Sequence, residues 1–181
     1  MNRVLYVQRW SRQTRRPFPG HTWIDPSRAR QIYECGGDFI EVLDAAETDP
    51  DGRPHPRWSI GFASNGFVRT TFYNPAGSTW RSSDYEPHDG RLFRAHVYDY
   101  TYPDGEVFYL ENQCTRLTRF FFRPDGTGAV ETRDKGASGT DLGQFTDANV
   151  SGLWVDRPEF GQWSSLADAE HGKAAPADAQ R

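Results

Sequence analysis

The chain has 181 residues, a length that one hydrophobic core serves, so a single domain is expected. Only 36% of its residues are hydrophobic but 14% are aromatic, so large rings must fill the core, and whole-chain disorder is excluded. The net charge of -4 argues against nucleic acid as a partner, because phosphate binding needs a summed positive field.

The charge is unevenly spread. Residues 1–31 carry Arg3, Arg9, Arg12, Arg15, Arg16, Arg28 and Arg30 against Asp25 alone, so this arm is basic and the remainder acidic. An acidic partner for the arm is one reading; an arginine-rich base composition, with only Lys135 and Lys173 as lysines, is the plainer one. The first apolar stretch, Val4 to Val7, is too short for a secretory leader, and no stretch is long enough to span a bilayer. Cys35 and Cys114 have no metal-ligand spacing and are too few for a disulfide framework. The expectation is a cytoplasmic protein with reduced thiols, no metal, no cofactor and no membrane contact.

In chain order, Arg3 to Trp10 reads as a strand and Ser11 to Gly20, with its prolines and arginines, as an exposed loop. A helix follows. Asp25 is its N-cap, Pro26 stands where a missing N–H is harmless, Ala29, Ile32 and Tyr33 share a face, and Gly36-Gly37 end it. Phe39 to Leu43 is a strand, and Thr48 to Pro56 a loop. Trp58, Ile60 and Phe62 then alternate up to Asn65-Gly66, and Phe67 to Tyr73 returns. A two-residue turn there sets Trp58 opposite Tyr73 and Ile60 opposite Thr71.

Pro103-Asp104-Gly105 and Pro124-Asp125-Gly126 each supply a proline for turn entry and a glycine for a left-handed position, so each is expected to close a hairpin; Pro87-His88-Asp89-Gly90 looks like a looser relative. Thr79 to Asp134 thus reads as a meander of four to five strands, residues 135–149 as a loop, and Leu153 to Val155 as a last strand. Ser164 or Ser165 starts a short terminal helix to about Glu170. Residues 1–171 form the β-rich domain, and 172–181, with nothing large to bury, an unstructured tail. The fold class is mainly β, an antiparallel partly closed barrel or roll around the helix from Pro26, with a sandwich as the alternative.

No phosphate loop, dinucleotide fingerprint, His-Glu-x-x-His, Cys-x-x-Cys or Gly-x-Ser-x-Gly occurs in the sequence. The strand Arg91 to Tyr102 carries the polar groups of most interest. One face presents Leu92, Arg94, His96, Tyr98 and Tyr100, the other Phe93, Ala95 and Val97. A tight turn at 103–105 sets His96 opposite Asn112, Tyr98 opposite Leu110 and Arg94 opposite Cys114. His96 and Tyr98 are then candidate proton-transfer groups, with Arg94, Asn112 and Tyr100 binding a ligand. The plain alternative is a solvated strand face rich in Tyr. Across the 124–126 turn, Arg119 and Glu131, and Arg116 and Asp134, should form cross-strand ion pairs.

Of the tryptophans, most are expected in the core, and Trp23, beside the basic loop, at an interface. The functional expectation is a small-molecule-binding barrel, extending to a cofactor-independent isomerase or cyclase on an aromatic or polyketide-like compound. The alternative is a protein-binding inhibitor or immunity-type module.

Overall fold

A computed structural model describes residues 4–36, 38–45 and 47–171. Arg3, Gly37 and the 172–181 tail therefore lie outside the described residues. The helix α1, Pro26–Cys35, is built as its sequence dictates. The Asp25 carboxylate accepts the N–H groups of Ser27 and Arg28, both at 3.0 Å, and satisfies two of the donors that a helix start leaves open. Gly36 takes a left-handed φ of 66° and returns its N–H to Ile32 O at 3.0 Å. Ala29, Ile32 and Tyr33 are its buried face.

Among the described residues, thirteen strands follow chain order: β1 (Val4–Val7), β2 (Trp10–Ser11), β3 (Arg16–Pro17), β4 (Trp23–Ile24), β5 (Ile40–Asp44), β6 (Trp58–Phe62), β7 (Val68–Tyr73), β8 (Thr79–His88), β9 (Arg91–Thr101), β10 (Arg116–Phe122), β11 (Gly128–Asp134), β12 (Asp141–Phe145) and β13 (Trp154–Asp156). β5 to β12 run as an antiparallel meander, continued past β5 by β1 and β4. β13 pairs with β9, and β2 with β3 forms a separate small hairpin.

The expected closure does not occur. β12 and β4 end the strand order at opposite sides and do not pair with each other, so among the described residues the sheet is open. The edges are blunted instead, since β4 has two residues and β12 starts with a charge and contains Gly143. α1 and the C-terminal segment cover one face of the sheet, where Tyr33, Ile40, Ile60, Phe62, Tyr85 and Leu166 share one core cluster. β10, β11 and β12 form a wing with no fully buried residue. No helix among the described residues is long and apolar enough to cross a membrane.

The turns correct the register in one place. Asn65-Gly66 closes a hairpin, but through a three-residue loop, Ser64 to Gly66, with Gly66 N–H to Ala63 O at 3.0 Å and Gly66 at φ 86°. Trp58 therefore faces Phe72 and Ile60 faces Thr70, one residue from the expected partners. A left-handed glycine at the third loop position adds a bulge that a two-residue turn lacks. Pro124-Asp125-Gly126 uses the same device and sets Arg119 opposite Glu131 and Arg116 opposite Asp134, with ion pairs at 3.4 and 3.0 Å. Pro75-Ala76-Gly77 is a further copy, between β7 and β8, that sequence reading missed. The two-residue turn lies at Asp89-Gly90, both with positive φ, between the paired His88 and Arg91.

Pro103-Asp104-Gly105 closes no tight hairpin. β9 and β10 pair with Thr101 opposite Arg116, joined by the long connection 102–115. Asp104 explains the departure, because its carboxylate accepts the N–H groups of Glu106 and Val107, each at 3.0 Å, and the Tyr109 hydroxyl at 2.8 Å. Local side-chain bonds replace the ladder that a hairpin would need. The expected helix after Ser164 is also absent, since the segment 164–171 is a series of turns, with Leu166 and Ala167 both donating to Trp163 O. Within the expected loop 135–149, Asp141–Phe145 pairs with β11 as β12.

Candidate functional site

The polar residues of β9 divide between two faces. The ladder to β8 pairs Asp84 with His96 but Tyr85 with Arg94, so Ala95 is an extra residue and the alternation reverses at this bulge. His96, Tyr98 and Tyr100 remain together on one face. His96 lies 3.7 Å from Asp84, and its ring is 6.2 Å from Tyr98 and 5.3 Å from Phe121. Arg94 is on the other face, 3% exposed, with Nε donating to Ser83 Oγ at 3.0 Å. Burial holds its guanidinium below the usual pKa, offset by the charges of Asp99 and Asp168. Asn112 sits in the 3-10 turn Glu111–Gln113, and His96 faces Phe121, so the expected His96–Asn112 pair does not form.

An aromatic-walled concavity lies elsewhere, at the end of the sheet where β6 starts and β7 finishes. It is an open cleft of about 900 Å³, within the range that holds small ligands. Trp58, Phe72, Trp80 and Trp163 give it aromatic walls, and His55, Arg57 and Gln162 give it polar groups.

Each wall has a local cause. The alternation of side chains along a strand puts Trp58 and its partner Phe72 on the face that α1 covers farther along. Trp80, on β8, lies 6.1 Å from Phe72. Trp163 is locked among Tyr33, Phe62 and Phe160 at ring distances of 5.3 to 5.4 Å. The 47–56 loop folds on itself, with His55 N–H to Glu47 O at 3.0 Å and Gly52 N–H to Asp49 O at 2.8 Å. That fold holds His55 on the cleft wall, where Nδ1 is 3.5 Å from Asp49 Oδ1 and Nε2 is buried without a hydrogen-bond partner. Arg57 is anchored by Nε to the buried Asp44 at 2.7 Å. The arrangement can stack a flat molecule and offer its edge the Gln162 amide and the Arg57 cation.

On the opposite face of β5 and β6 lies a second polar group. The Tyr73 hydroxyl and Ser59 Oγ are 2.8 Å apart, and Glu41 accepts the Trp10 N–H at 3.2 Å. Burial pushes the Glu41 carboxyl up to about 7, opposed by hydrogen bonds from Ser59 and Trp10 and by the charge of Arg12. Burial, with the neighbouring Glu41, raises Tyr73 as well.

Sequence reasoning placed Trp58 in a hairpin and His55 in a loop, and joined neither to a site. The signal it lacked is spatial, because the cleft draws on residues from Val4 to Ala167. Of the tryptophans, Trp10 and Trp163 are core, Trp58, Trp80 and Trp154 are half-buried, and Trp23 is 41% exposed. Comparison with protein-family models, curated proteins and solved structures returns no match.

Proposed function

We propose that this chain is a ligand-binding domain whose cleft takes a flat, apolar-bodied small molecule, of the aromatic or polyketide-like kind, with a hydrogen-bonding edge. One observation carries the reading: a cleft of ligand size walled by Trp58, Phe72, Trp80 and Trp163, with Arg57 and Gln162 among its polar groups. Rings supply stacking area at little entropic cost, and one or two polar groups then fix orientation.

A second reading, a protein-binding module of the inhibitor or immunity type, is favoured by the wing. Leu142 there is 66% exposed, and β12 leaves one edge of the sheet open. Native mass spectrometry of the protein purified from its source cells separates the two. The expected spectrum shows the chain with one added small molecule. A spectrum of the bare chain, or of the chain with only a protein bound, would count against the cleft.

A further inference from the structure

The register carries one row of side chains straight across the sheet on the face opposite α1. Arg69 on β7, Asp84 on β8, His96 on β9, Phe121 on β10, Ala129 on β11 and Gln144 on β12 are successive Cα partners, and the last four span about 14 Å at the usual strand spacing. Two residues nearer the 124–126 turn, alternation brings Arg123 and Thr127 to the same side, where Arg123 N–H meets Thr127 O at 2.9 Å. Ala129 and Thr127 are small and stand between longer neighbours, so this end of the wing is hollowed. The hollow measures about 420 Å³, a volume that small-ligand sites occupy.

Its lining is one-sided in charge. Arg123 brings a cation, Gln144 an amide, His96 an imidazole and Phe121 a ring, and among the described residues no carboxylate lines the hollow. The acids nearest to it are engaged with other groups. Asp84, 2% exposed, is held by Arg69 through two bonds at 2.6 and 2.7 Å, and it faces His96 Nδ1 at 3.7 Å. Asp125 turns back onto its own loop and accepts the Thr127 N–H and hydroxyl at 2.9 and 2.7 Å. Glu131, two positions along β11, pairs with Arg119, and Asp147 accepts the Thr146 hydroxyl at 3.3 Å. Arg123 itself makes no ion pair among the described residues, and its guanidinium is steered by a bond from one terminal nitrogen to Thr127 Oγ1 at 3.3 Å.

We propose that this hollow is a second ligand site, for a small flat carboxylate. A guanidinium grips a carboxylate through two parallel hydrogen bonds, and the Gln144 amide adds a further donor. Phe121 and His96, edge to face with rings 5.3 Å apart, give the flat body a wall. With Nδ1 turned to Asp84, His96 keeps Nε2 on the other side of its ring as a hydrogen-bonding atom for the ligand. The hollow shares no lining residue with the aromatic cleft, so the proposal stands whether or not that cleft binds anything.

The probe is benzoate, titrated into isotope-labelled protein, with the backbone amides of Thr127, Ala129 and Gln144 reporting on the hollow and the Trp163 indole N–H on the cleft. The wild type should show saturable shifts at all three amides. Benzamide, which has the ring without the charge, and inorganic phosphate, which has charge without a ring, should each bind at least about tenfold more weakly. Arg123→Ala, at an exposed position, should weaken benzoate about tenfold, and His96→Phe, which keeps a ring and removes both nitrogens, about fivefold. Trp80→Ala, which removes a wall of the cleft, should leave the three amide titrations unchanged. Shifts confined to the Trp163 indole overturn the proposal, as does benzamide or phosphate binding as tightly as benzoate. So does wild-type affinity in Arg123→Ala or His96→Phe, or a loss at the three amides in Trp80→Ala.

Discussion

Replacing Trp163 by alanine is expected to lower stability by about 3 to 5 kcal/mol, the range for emptying a buried aromatic site. Trp163 is 4% exposed and stands where three parts of the chain meet: Tyr33 of α1, Phe62 of β6 and Phe160 of its own segment. The segment 160–167 has no helix to support it, so its place depends on Trp163 and the fully buried Leu166. The indole is too large for its neighbours to collapse into the space it leaves. Because Trp163 is also a wall of the cleft, the variant should lose the binding surface with the stability. Urea unfolding measures the first effect. A loss below about 1 kcal/mol would show that the segment docks by other contacts.

Phe93→Ala should cost a similar amount, about 3 to 5 kcal/mol, whereas His96→Ala, three residues along the same strand, should cost less than about 1 kcal/mol. Phe93 has no exposed surface, packs with Ala95 and Leu153, and lies 4.8 Å from the Trp154 ring. His96 is partly solvated, and its contacts are with the ring edges of Phe121 and Tyr98 and with Asp84, which Arg69 already holds in a bidentate pair at 2.6 and 2.7 Å. Removing the imidazole therefore strands no buried charge. Equal losses for the two variants would show that β9 does not present these side chains as described.

Local rules explain what could be read from the sequence. The helix was legible to the residue because Asp25, Pro26 and Gly36 act on backbone groups within four positions of themselves. The hairpin at 124–126 was legible for the same reason, along with its two ion pairs. At 103–105 the same tripeptide failed, because Asp104 found partners in Glu106, Val107 and Tyr109 that the turn motif does not reveal.

Strand facing was legible only until alternation broke. One extra residue at Ala95 sent Arg94 into the covered face while His96 and Tyr98 stayed outside, and no residue preference marks such a bulge. Closure was misjudged because it depends on how edges are blunted, which here falls to a two-residue strand and a short, charged one. The cleft was illegible because long-range packing alone brings Trp163 to Trp58 and His55.

The basic arm has an explanation that composition could not supply. Arg12 and Arg15 are matched by Glu111 and Asp49 of the same chain, so part of its charge serves internal docking. The acidic partner suggested by the charge asymmetry is, for these two residues, the protein's own body.

The most direct measurement of the central claim, that the aromatic cleft binds a flat small molecule, is a fluorescence titration with 1-anilinonaphthalene-8-sulfonate. This probe is a flat ring system with an anionic edge, suited to the tryptophan walls and to Arg57. Ser164→Trp serves as the blocked variant, since Ser164 is exposed at the cleft and a larger side chain there fills the opening without disturbing the core. The wild type should give saturable, one-site enhancement, Trp80→Ala should bind about tenfold more weakly through loss of a stacking wall, and Ser164→Trp should not bind. No enhancement with the wild type, or equal binding by wild type and Ser164→Trp, would contradict the account.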